Sequence, residues 1–264
     1  MKVVRFEDEV GRICWGEMLD EARARLIQGD LFSRYEVTTE AIEIHRLLTP
    51  VEPVSIIAIG LNYRRHAEEA GTKIPDHPAI FAKLTTSVTA PSDPIQLPAD
   101  APDEVDYEGE LAVVIGKSAR RVAEAEALNY VLGYTCANDV SARDCQFRRD
   151  VQWTRAKSFD TFCPLGPCLV MDPAINPNAL AIRTVLNGRV MQDSNTADMV
   201  FSVPKLISYL SHQFTLLPGT LILTGTPQGV GYARKPPVYL RPGDTVQVEI
   251  ARIGKLSNPV QTGR

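Results

Sequence analysis

The chain has 264 residues, 44% hydrophobic and 23% charged, with 28 Lys+Arg against 32 Asp+Glu and a formal net charge of −4. That composition excludes a disordered chain, a collagen-like repeat and a coiled coil, and it predicts one large domain or one domain with a small addition. The acidic balance argues against a nucleic-acid partner; no basic cluster marks a membrane surface, and no apolar run approaches the ~20 residues of a membrane span.

In chain order, the first segment is MKVVRFEDEVGRICWGEML. It has acids where a signal peptide would be apolar, so a cytoplasmic protein is expected. Its alternation of apolar and polar residues predicts a hairpin with Gly11 near the turn. Residues 17–29 read as a short helix ending at Gly29. TTEAIEIHRLL reads as a second, capped by Thr38 or Thr39 and stopped before Pro50. Residues 1–50 are therefore expected to form a small N-terminal α/β lobe, and 51–264 the main domain, with the boundary near Thr49–Pro53. Beyond it, VSIIAIG, ELAVVIG, YVLGYTCA, GPCLVM, RTVLNGRV, TLILTGTP and DTVQVEI read as strands. Asn187-Gly188 predicts a tight hairpin, and Leu217-Pro218-Gly219 and Arg241-Pro242-Gly243 predict turns before strands. Helices are expected after Asn62, near VAEAEALNYV, and over FSVPKLISYLSHQF behind a Ser202 cap. The pattern is α+β and β-rich, not a regular strand–helix alternation. Five cysteines, an odd number with no C-x-x-C spacing, argue against a disulfide framework or structural zinc.

Candidate chemistry begins at Asp106-Tyr-Glu108-Gly-Glu110, where three acids share one strand face and Tyr107, Leu111, Val113 and Ile115 take the other. Such acids either face water or surround a hard divalent cation, and spacing leaves the two readings even. Asp139, just past an apolar strand, suits a site held by a rigid sheet. The pattern Asn138-Asp139-Val-Ser141 alone favours a helix cap. His66 and Glu69, at i and i+3 of a short helix, can form a carboxylate–imidazole base or a plain surface pair. His45, His77 and His212 read as surface or packing residues. The loop Gly225-Thr226-Pro-Gln-Gly229-Val-Gly231 could approach a ligand closely, which is weak as a lone signal. Lys157 reads as a surface lysine or as a buried charge opposite the acids.

Together IAIGLNYRRHAEEAG, PAIFAK, DYEGELAVVIG, GYTCANDVSARDCQ, AKSFDTFCPLGP, LNGRVMQDSNTADMVFSV, LLPGTLILTGTPQGVG and LRPGDTVQVEI resemble the fumarylacetoacetate hydrolase family over roughly residues 54–260. The resemblance implies a mixed β-roll or β-sandwich core and a Mg²⁺ or Mn²⁺ site on Glu108, Glu110 and Asp139, with Asp106 a neighbour. It implies a catalytic His66–Glu69 pair on a lid-like segment, Lys157 beside the metal, and Arg143, Gln146 and Thr226 near substrate oxygens. A homodimer is implied as well. Family members act on 2-oxo or 2,4-dioxo acids. The leading expectation is metal-dependent hydrolysis of a C–C bond in an acylpyruvate-like acid. The alternatives are decarboxylation of an oxaloacetate-like acid, isomerisation or hydration of hydroxymuconate-type acids, and, remotely, a non-catalytic metal-binding protein. Fold alone does not choose among these chemistries.

Overall fold

The computed structural model describes residues 1–263. Its strands form two large sheets. The main path of the first runs Tyr35–Glu43, Arg23–Gly29, Ile13–Met18, Lys2–Glu7, Cys163–Val170, Val131–Asn138, Gly109–Ile115, Thr220–Leu223, Ser55–Gly60 and Ala79–Lys83. The second holds Arg189–Asn195, Ala181–Leu186, Thr245–Ile250, Gly254–Thr262 and Ile95–Leu97. Leu111, Val113 and Ile115 share a core cluster with Ile182, Val248, Ile250 and Leu256, so the two sheets pack face to face. Ala112 and Val114, pointing the opposite way, join Ile56, Ala58, Leu221 and Leu223 in a second cluster. The strand Gly109–Ile115 is thus apolar on both faces beyond its first two residues, as expected for the centre of a layered fold.

The turns follow the sequence. Asn187 (φ 52°) and Gly188 (φ 79°) make the left-handed pair of a two-residue hairpin, and Gly219 and Gly243 also lie at positive φ. The helix Val203–Gln213 is capped by the Ser202 side chain, which accepts from the Lys205 N–H. VAEAEALNYV forms a 3₁₀ segment, Glu124–Tyr130.

Two expected helices do not form. Residues 17–29 and TTEAIEIHRLL are the strands Ile13–Met18, Arg23–Gly29, Tyr35–Glu43 and Arg46–Leu47. Their Ala, Glu, Arg and Leu content favours a helix locally, but cross-strand pairing buries Ala24 and Ile27, and that outweighs propensities worth a few tenths of a kcal/mol per residue. Lys2 and Val3 pair with Val170 and Leu169, so the N-terminal strands extend the main sheet. All five cysteines are buried and free. Among the described residues, no helix is long and apolar enough to cross a membrane.

Candidate active site

The site lies where three strands end together. Gly109 opens a strand opposite Asn138, and Leu223 pairs with Ala112 on one side and Ala58 on the other. The ladder therefore brings Glu108 and Glu110, the residues just after Asn138, the Thr224–Gly231 loop and the segment after Gly60 into one place. Asp139 joins the acids: its N–H donates to the Glu108 carbonyl (2.8 Å), and the Glu108 N–H donates to Asn138 Oδ1 (2.9 Å). A short strand, Ser141–Ala142, follows, so Asp139 caps no helix.

Glu108, Glu110 and Asp139 are all buried and offer carboxylate oxygens within 4.8 Å of one another. Three buried acids need compensation. Lys157 Nζ donates to Glu108 Oε2 and Asp139 Oδ2, both at 2.7 Å. Arg143 Nη2 lies 2.6 Å from Glu108 Oε1. Burial pushes the Glu108 carboxyl up, but Lys157 and Arg143 outweigh it and hold it down at about 2. Burial would lower Lys157, yet Asp139 and Glu108 raise it, so it stays an ammonium. Glu110 differs. Among the described residues no lysine or arginine forms an ion pair with it, and it accepts the Gly225 N–H at 2.7 Å. Burial, then Asp139 and Glu108, push its carboxyl well above the usual range. A buried all-oxygen set in which one carboxyl has no side-chain cation to answer it fits a hard divalent cation.

Asp106, expected on the same strand face, belongs elsewhere. The strand is interrupted after Val105–Asp106, and Asp106 accepts from Arg143 Nε and from the Gly231 and Tyr232 N–H groups. It anchors the glycine-rich loop and neutralises Arg143. That arginine, 2% exposed, also donates to Gln146 Oε1 at 2.7 Å and lies under the rings of Phe147 and Tyr232. Its charge is thus committed to Asp106 and Glu108, while the Gln146 amide nitrogen makes no hydrogen bond to the described residues. The Thr226 hydroxyl donates to the Gly109 carbonyl (3.0 Å) and accepts from Gln192 Nε2 (2.8 Å).

His66 sits on the helix Arg64–Glu69, which follows Asn62. The Asn62 side chain bonds the Thr224 carbonyl and both polar backbone groups of Phe201, fixing where that helix begins. His66 Nδ1 is 3.3 Å from Glu69 Oε2, and both Glu69 oxygens lie 3.0 Å from the Gly229 N–H. With Glu69 as acceptor, Nδ1 carries the proton and Nε2 is left as the basic nitrogen. His45, His77 and His212 are exposed and do not line the cavity that His66 lines.

A cavity of about 270 Å³ gathers His66, Glu108, Glu110, Asp139, Arg143, Gln146, Lys157 and Thr226; Glu69 stands behind His66. Lys83 went unread in the sequence. Its Nζ donates to Asp139 Oδ1 at 2.7 Å and to the Lys157 carbonyl, fully buried. The alternation in Ala79–Lys83, with Phe81 and Lys83 both inward, was the available signal. Trp153 also lines the cavity, and nothing in its sequence setting marked it; so does Tyr232, next after the glycine-rich loop that the sequence put near a ligand.

Similarity to known proteins extends over most of the chain. Residues 55–261 match the family model described as fumarylacetoacetate (FAA) hydrolase, C-terminal. A Dictyostelium discoideum protein named as a fumarylacetoacetate hydrolase domain-containing protein 2 homolog is 48% identical, covering 83% of this chain and 75% of its own. A mitochondrial oxaloacetate tautomerase of Xenopus laevis is 50% identical, covering 81% and 68%. Among solved structures, a 5-carboxymethyl-2-hydroxymuconate delta-isomerase from Mycobacterium smegmatis superposes with a TM-score of 0.88 at 41% identity, covering 99% of this chain and all of its own. A fumarylacetoacetate hydrolase from Exiguobacterium antarcticum does so with 0.88 at 37%, over 99% of each chain. On fold and sequence alike, the chain belongs to the fumarylacetoacetate hydrolase family.

Proposed function

We propose that this protein is a metal-dependent tautomerase of 2-oxo acids, interconverting their keto and enol forms. The observation that carries this reading is His66, its Nδ1 turned to Glu69, lining the same cavity as an acidic triad and an ammonium group. Glu108, Glu110 and Asp139 would hold Mg²⁺ or Mn²⁺, and such an ion, when bound, polarises a 2-oxo oxygen as a Lewis acid. His66 Nε2 removes a proton from C3 of the acid, and the electron pair of that C–H bond moves toward the carbonyl oxygen. Lys157 supplies positive charge to the developing oxyanion. The proton then returns to that oxygen, giving the enol, and the reverse sequence restores the ketone. Glu69 holds the imidazole in the required tautomer. The Gln146 amide, which lines the cavity, would donate to the carboxylate. The names of the Xenopus relative and the Mycobacterium structure, a tautomerase and an isomerase, support proton relocation over the hydrolysis expected first.

C–C bond hydrolysis remains the second reading. It would use the same His66 nitrogen to deprotonate water, and the Exiguobacterium structure carries a hydrolase name. One set of assays with Mg²⁺ or Mn²⁺ separates the two: enol-to-keto conversion of 2-oxo acids and cleavage of acylpyruvates. The expected result is tautomerisation well above the uncatalysed rate. His66→Ala should lower it by about 10²–10⁴-fold with metal binding retained. Cleavage without tautomerisation would move the hydrolase reading ahead. We also infer a homodimer acting on a small-molecule oxo acid.

A further inference from the structure

The cavity lining has a polar part, the charged groups around Glu108, Glu110 and Asp139, and an apolar part, Phe81, Trp153, Ile59 and Leu61, and the two adjoin: Lys157 Nζ lies 5.2 Å from the Phe81 ring centroid. Its cations are already matched. Lys157 answers Glu108 and Asp139, and Arg143 answers Asp106 and Glu108. No lysine or arginine of the lining is left over for a second carboxylate on the substrate. A carboxylate placed against the apolar part would lose its hydration without gaining a partner.

Trp153 is held firmly in that part. A Cβ built on Gly60 would lie 2.6 Å from the indole Cζ3, so the absence of a side chain at the strand end gives the ring its seat. Phe81 meets the indole edge-on, with centroids 5.4 Å apart and an interplanar angle of 72°. Trp153 also caps the short helix that ends at Lys157, and the Lys157 N–H donates to the Trp153 carbonyl at 3.1 Å. One turn of chain therefore carries both the ammonium group at the polar part and the ring of the apolar part.

We propose that Trp153 and Phe81 form an apolar subsite selecting 2-oxo acids with an uncharged aryl or branched-alkyl group on C3, the phenylpyruvate class, over acids ending in a second carboxylate. The proposal rests on the tautomerase reading for the placement of the acid head. It departs from the dicarboxylate in the Xenopus relative's name.

The test compares enol-to-keto conversion of phenylpyruvate and oxaloacetate by the Mg²⁺- or Mn²⁺-loaded protein. The expected wild-type kcat/KM favours phenylpyruvate by about tenfold or more. Trp153→Ala should shrink that preference by about tenfold, and Gly60→Ala, which displaces the indole from the other side, should shift it in the same direction. Trp153→Phe should keep most of it. The chain has two tryptophans, so Trp15→Phe leaves Trp153 as the sole tryptophan, and under excitation selective for indole phenylpyruvate should quench it at lower concentration than oxaloacetate does. A wild-type preference for oxaloacetate, or equal losses on both acids in Trp153→Ala and Gly60→Ala, would overturn the subsite. If neither acid is tautomerised above the uncatalysed rate, the tautomerase reading fails. The fluorescence titration then decides the subsite alone: tighter phenylpyruvate binding supports it, and equal or weaker binding rejects it.

Discussion

At Glu110, burial and two neighbouring carboxylates push the same way, so in the metal-free protein the group keeps its proton to well above the usual glutamate range. The sign follows by linkage. Between the unfolded and the raised folded pKa the native state binds more protons than the unfolded one, so this group's contribution to metal-free stability falls as pH rises through that window. A cation must displace the proton. Metal affinity is therefore expected to rise with pH, with proton release visible by calorimetry in buffers of different ionisation heat. Glu110→Gln should abolish that release and weaken binding by at least about 10–100-fold. Affinity independent of pH and of the substitution would remove Glu110 from the ligand set. Arg143 makes a different prediction. It matches Asp106 and Glu108 while only 2% exposed. Arg143→Met leaves buried Asp106 with backbone donors alone and Glu108 with Lys157 alone, and should cost about 3–5 kcal/mol in denaturant unfolding. A loss of activity with unchanged stability would instead mark it as a substrate contact.

The loop that follows Thr220–Leu223 shows how one element holds the site. Gly225 has φ +96°, and a Cβ there would lie 2.8 Å from Asn62 Cβ and 3.1 Å from the Ile59 carbonyl. Its N–H is the backbone group that Glu110 accepts. Gly225→Ala should cost more than the roughly 1–2 kcal/mol of left-handed backbone strain, because contact with Asn62 moves the loop, and metal affinity should fall with stability. Gly243, at φ +92° with open space around it, is the control: Gly243→Ala should lose stability by the strain alone and keep its metal affinity. Comparing melting and metal titration of the two variants checks this. The glycines of this loop were visible in the sequence. Their task was not, because it depends on Glu110 and Asn62, which are respectively 115 and 163 positions earlier in the chain.

For the whole molecule, the main sheet ends in Tyr35–Glu43 on one side and Ala79–Lys83 on the other, and Ile80 on the second is 38% exposed. Unpaired edges invite a second copy. Light scattering at micromolar concentration is expected to give about twice the 29.1 kDa chain mass, or an even multiple of it. A single species at the chain mass would reject the dimer.

By itself the sequence determined what depends on neighbours along the chain. Apolar runs with Gly, Pro and Asn punctuation gave most of the strands of residues 54–250, the Asn187-Gly188 hairpin and the Ser202 cap, because period and turn chemistry are local. The acids at 108, 110 and 139 and the His66–Glu69 spacing were visible for the same reason. Tertiary structure decided the rest. It made strands of helix-prone residues 17–29 by pairing them, since burial across a sheet outweighs local propensity. It separated Asp106 from Glu108 and Glu110, spent Arg143 on carboxylates, brought Lys83 to Asp139, which lies 56 positions later, and set Trp153 against Phe81. A charge finds its partner, and an indole its seat, by contacts through space between distant segments, and residue spacing along the chain carries no record of those distances.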